Sequence, residues 1–225
     1  MRILYLVRGD RTEDRAVFRR RILDFAETVL APLADSVVVA VTEEAPPPLS
    51  VIPYRRDRIA LVSLGGVADD AAAPEPPAGF AGAYRSDAAV PVEHRRTWPL
   101  GEQSPGAGLL TLFRRRRGIG ESEFLRRWFE GHTPLTLEVH PNVGYVRNRI
   151  MGPWIPAGEP ADLWDGIVEE QYDPPSDLTR PWRFFGGSLL RMIPTMIRVY
   201  RDVKGFIDYT SIHTWYTREY RLKSR

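Results

Sequence analysis

The chain has 225 residues, with 31 Lys and Arg against 29 Asp and Glu, 43% hydrophobic residues and no cysteine. The length supports one large domain or two small fused ones. A net charge of only +2 argues against a nucleic-acid partner, and the missing cysteine excludes disulfides, thiolate catalysis and cysteine-ligated metals. No apolar run is long enough to span a bilayer, so a cytoplasmic protein without a membrane partner is expected.

Ile3 to Val7 is a compact apolar run that reads as a first strand, charged by Asp10, and not as a signal segment. Phe18, Ile22, Phe25, Val29 and Leu33 then recur at helical spacing. Val37 to Val41 and Ile59 to Leu64 are two further strands, separated by the proline-rich loop around Pro46 to Pro48. Ala71 to Gly82 has room for a short helix at most, and Tyr84 to Trp98 reads as a closing strand. The order is β, α, β, β, weak α, β.

The same order restarts at Gly108. Leu109 to Phe113 reads as a strand, Glu121 to Val139 as a helix, Val143 to Ile150 and Ile167 to Tyr172 as strands, and Phe206 to Leu222 as the last strand. Placing Phe18 on Phe124 also brings Arg20-Arg21 onto Arg126-Arg127, Asp57-Arg58-Ile59 onto Asp165-Gly166-Ile167, and Gly79-Phe80 onto Gly205-Phe206. The expected fold is α+β: two tandem ferredoxin-like repeats, packed sheet to sheet so that each covers the other's bare face. The division is residues 1–98 for the first repeat, 99–107 for a linker and 108–225 for the second. Between about 176 and 204 the second repeat carries an extra helical segment, apolar through Leu189 to Tyr200 and broken at Pro194. It reads as a crossover helix, a pocket lid or an oligomer interface.

The stretch Phe113 to Leu135 is the most informative. Arg114 to Arg117 end a strand, a glycine turn follows, and the helix carries Trp128, then His132 four residues on, then Pro134. This pattern resembles the EthD family of the dimeric α/β-barrel superfamily, as do Asn142 to Asn148 and Trp164 to Glu169. The resemblance runs from about Leu109 to Lys223. It implies a fused version of the dimeric α/β barrel and catabolic or biosynthetic work on small molecules.

The residues themselves support His132 as a site. Phe124, Trp128 and His132 stand at i, i+4 and i+8, so the imidazole shares the sheet-facing stripe. Pro134 has no amide hydrogen for the carbonyl of Glu130, so the helix must kink or change pitch beside His132 and open space. The first repeat has Ala26 at the matching place, so the fold does not require the histidine. A neutral imidazole suits a general acid/base. The substrate-contacting candidates are Trp128, Arg114, Tyr145, Tyr209, His213 and Trp215; strand alternation puts Tyr209, His213 and Trp215 on one face of the last strand, and Tyr145 opposite Asn148 on another.

No carboxylate completes a metal triad with His132 and His140, and no nucleotide loop or serine elbow is present, so neither metal nor cofactor is expected. The function expected is a cofactor-independent lyase or dehydratase, cyclase or isomerase acting on an aromatic or polyketide-like metabolite, as a monomer or homodimer. The alternatives are a cofactor-free oxygenase and a non-catalytic protein that binds a hydrophobic ligand.

Overall fold

The computed structural model describes residues 1–48, 50–155 and 164–224. Strands β1 (Arg2–Gly9), β2 (Ser36–Val41), β3 (Arg58–Gly65), β4 (Phe80–Val92), β5 (Ala107–Phe113), β6 (Gly144–Ile155), β7 (Gly166–Tyr172) and β8 (His213–Lys223) form one closed barrel in the order β1-β3-β2-β8-β5-β7-β6-β4. All neighbours are antiparallel. The first four strands run β4-β1-β3-β2 and the last four β8-β5-β7-β6, the same order twice. These halves are joined edge to edge, through β2 with β8 and β4 with β6. Pairing the edges leaves no unpaired sheet edge among the described strands.

Closure explains why β1, β2 and β3 read as near-continuous apolar runs: both of their faces are largely buried. From β1, Leu4 and Leu6 enter the barrel and meet Leu61, Leu110, Leu112 and Trp215. Ile3, Tyr5 and Val7 point outward beneath the first helix, against Phe18, Ile22, Ala26 and Leu30. That helix is α1 (Arg15–Phe25), capped by the Asp14 carboxylate on the amides of Ala16 and Val17 and continued by a π turn over Ala26–Leu30. The wider turn shifts the buried stripe, so Ala26 and Leu30 are inside while Val29 lies at the surface. No helix among the described residues is long and apolar enough to cross a membrane.

Several elements differ from the sequence expectation. The stretch 66–79 holds no helix, and β4 begins at Phe80 and ends at Val92, short of Trp98. Trp98 is buried by stacking on His94 at 4.8 Å, so its apolarity reports a side-chain contact and not a strand. The short helices α4 (Ser176–Thr179) and α5 (Pro181–Phe184) precede α6 (Leu189–Phe206), which passes unbroken through Pro194, whose missing hydrogen bond belongs to the carbonyl of Leu190 on a water-facing turn. It also runs on to Phe206, because Val199, Val203 and Phe206 continue the helical spacing and Phe206 packs on Phe113 and Phe124. Gly205-Phe206 thus ends a helix, whereas Gly79-Phe80 starts a strand. The last strand starts only at His213, after a 3₁₀ turn over Tyr209–Ser211 closed by the Asp208 carboxylate on the amide of Thr210.

Candidate functional site

The helix over the second half is built in three parts: α2 (Glu121–Arg126), a π turn (Arg127–His132) and α3 (Thr133–Val139). Pro134 cannot complete the α ladder, and the amide of Thr133 reaches back to the carbonyl of Trp128 instead. The Thr133 hydroxyl donates to that carbonyl as well, at 3.0 Å. The sister helix has its π turn at Ala26–Leu30, followed in the same way by Pro32 and without an imidazole, so the turn goes with the proline and His132 is an addition to it.

Between this helix, α6 and the outer face of β5, β6 and β7 lies a cavity of about 430 Å³. His132, Thr136 and His140 line it from the helix, Tyr145 and Glu170 from the strands, and Met196, Val199 and Val203 roof it from α6. Trp128 and Phe113 form its apolar back wall, with ring centroids 5.0 Å apart. An apolar pocket with a few convergent polar groups is the usual form of a small-molecule site. Its size suits a molecule of one or two rings.

His132 is held from α6. Its Nδ1 lies 2.7 Å from Oδ2 of Asp202, and its Nε2 lies 3.3 Å from the Thr136 hydroxyl. The carboxylate accepts the Nδ1–H, which leaves Nε2 as the basic nitrogen and lets the Thr136 hydroxyl donate to it. The Phe206 ring packs against the imidazole with centroids 5.2 Å apart. With side-chain exposures of 17% and 28%, the pair is screened from bulk water but open to a ligand.

Two further titratable groups share the cavity. His140 donates Nδ1–H to the carbonyl of Phe184 at 2.7 Å and stacks on the Phe184 ring at 4.0 Å. Burial pushes its pKa down to about 4, so it is a neutral imidazole near pH 7. Glu170 is buried and accepts from the Tyr172 hydroxyl at 2.9 Å and from Asn142 Nδ2 at 3.3 Å, both on Oε1. Burial raises its pKa and favours the protonated acid. Burial also holds the Tyr145 hydroxyl protonated, pushed up to about 12.

Of the residues singled out from the sequence, His132, Trp128, Tyr145 and Tyr209 line this cavity. Tyr209 does so from the 3₁₀ turn at the rim, where alternation along a strand does not apply. Trp215, His213 and Arg114 lie elsewhere. The period of two along β8 sends Tyr216 outward and His213 and Trp215 into the barrel, where Trp215 packs beside Leu110 and Leu112. The His213 ring contacts Trp164 at 5.1 Å and Trp215 at 5.8 Å, and burial pushes its pKa down to about 4. The Arg114 guanidinium sits over Trp164, 5.6 Å from the ring centre. All three belong to one end of the barrel and not to the pocket.

Sequence reasoning missed Asp202, Glu170, Thr136 and His140 as site residues. Thr136 and His140 continue the i, i+4, i+8 row from His132 and were readable as such. The adjacent Glu169 and Glu170 within a buried strand also carried a signal, since alternation must bury one on each face. Asp202 carried none, being 70 residues from His132. Among the described residues, no three His, Asp or Glu side chains converge as metal ligands. The chain matches no protein-family model and no curated relative.

Proposed function

We propose that the chain is a cofactor-independent small-molecule enzyme of the lyase, cyclase or isomerase type, in which His132 moves a proton on an aromatic or polyketide-like substrate. The observation that carries the reading is the 2.7 Å contact between His132 Nδ1 and Asp202 Oδ2 inside a largely apolar cavity. A carboxylate that fixes the tautomer and stabilises the imidazolium is how a histidine becomes an efficient base. Nε2 takes the proton from an activated C–H or O–H. The protonated Glu170 carboxyl hydrogen-bonds the substrate oxygen that gains charge, and the same proton returns from Nε2 to a different atom. The matching strand order of the two halves supports reading them as fused ferredoxin-like repeats. The resemblance to the EthD family, with His132 at its helix position, supports the same class of work.

The test is a set of aromatic and polyketide-like compounds screened for binding and turnover with the native protein and with His132→Ala. The proposal expects the variant to bind the same compounds within a few-fold and to lose turnover by about 100-fold or more. Turnover that survives in His132→Ala overturns it.

A further inference from the structure

The barrel interior contains a second chamber that the proposed reaction does not use. Alternation along β7 sends Glu170 into the pocket described above and Glu169 and Gln171 into the barrel. Small barrels are normally filled by side chains, and near Leu110 and Trp215 this one is. At the opposite end, where β1 begins and β8 finishes, a cavity of about 410 Å³ remains. Arg2, His94, Glu169, Gln171, Glu219 and Arg221 face it.

The chamber has polar groups left without partners. Gln171 is 4% exposed and its Oε1 meets no donor; Asn148, one layer deeper at 0% exposure, has an Oδ1 in the same condition. Buried carboxamide oxygens are rarely left so. Glu169 sits beside them; burial raises its pKa as it does that of Glu170, the Arg2 charge opposes this, and the carboxyl accepts the Ser63 hydroxyl at 3.2 Å and Asn148 Nδ2 at 3.1 Å. Glu219 is already engaged by His94 Nδ1 at 3.2 Å and Arg221 Nε at 3.0 Å. Gln171 Oε1 is thus an unused acceptor on the chamber wall, where Arg2, Arg221 and Lys223 set positive charge beside Glu93, Glu169 and Glu219, the Lys223 ammonium also donating to the Ala31 carbonyl.

An unused amide oxygen and a carboxyl group beside a guanidinium suit a ligand with two unlike ends. We propose that this chamber binds a small amino acid-type zwitterion, with its ammonium directed at Glu169 and Gln171 Oε1 and its carboxylate at Arg2 and Lys223. An ammonium has three N–H donors for acceptors that lack them, and a carboxylate matches the guanidinium fork.

The test titrates glycine, β-alanine and 4-aminobutyrate into the full-length protein, with butyrate and butylamine as single-ended controls, read by backbone amide shifts in β7 and β8. Saturable shifts with at least one amino acid, at least tenfold tighter than with either control and at least tenfold weaker in Gln171→Leu, are expected. Where Gln171→Leu does not fold, Arg2→Gln reads the carboxylate end with the same expected loss. No shift with any of the three, or binding unchanged by the variant, overturns the site. Butylamine binding as tightly as the amino acids overturns the zwitterion.

Discussion

Replacing Asp202 by alanine is the sharpest probe of the pocket. The side chain is part-exposed near the end of α6, so its loss leaves the core intact, and this part-exposed pair contributes about 1 kcal/mol to folding. Its effect on chemistry is larger. A hydrogen bond to a charged group is worth about 1.5–3 kcal/mol, and the bond at 2.7 Å gains this strength when His132 becomes an imidazolium. At about 1.4 kcal/mol per tenfold, kcat/KM falls by roughly 10- to 150-fold, with substrate affinity nearly unchanged. A second readout needs no substrate: long-range ¹H–¹⁵N spectra of the histidine side chains. The native protein should show His132 as the Nδ1–H tautomer, and Asp202→Ala a mixture of both. An Nδ1–H tautomer that persists in the variant, or an unaltered kcat/KM, would refute the claim that Asp202 orients the base.

Glu170→Gln keeps the shape of the protonated acid. Because the folded pKa of Glu170 is raised by burial, its contribution is fully present below the unfolded value and lost as pH rises through the folded one. Thermal melts should therefore show the variant gaining on the native protein toward alkaline pH, while turnover falls; parallel melting profiles would contradict a buried neutral acid. His140 has the opposite sign. Its folded pKa of about 4 lies below the unfolded value of about 6.5, so stability is present above pH 6.5 and declines toward pH 4, by about 3 kcal/mol in full. His140→Phe should shallow that acid slope in urea titrations, with His213 supplying what remains; an unaltered slope counts against the assignment. Trp128→Ala, at a fully buried position, should cost about 3–5 kcal/mol in chemical denaturation. His213→Phe and Arg114→Ala should leave ligand affinity of the pocket unchanged in calorimetry, since both lie at the barrel end.

What local pattern encodes was legible from the chain alone. The doubled β-α-β-β order, the amphipathic stripe carrying Phe124 and Trp128, and the pitch change forced by Pro134 depend on residues within one or two turns of one another, so spacing and backbone chemistry reveal them. The place of His132 on the cavity wall is legible for the same reason. The end of α6 was misread because Phe206 to Trp215 is aromatic-rich and suits a strand, while burial of Phe206 against Phe113 decided for the helix. Tertiary structure alone decided which face of β8 meets the pocket. One-dimensional alternation separates His213 from Tyr216 but does not say which side is the barrel's interior; that follows only once β2 and β8 pair and close it. Asp202 came to His132 the same way: a helix with few local constraints was laid across the sheet by its apolar face, and its carboxylate arrived beside an imidazole that no spacing rule could have linked to it.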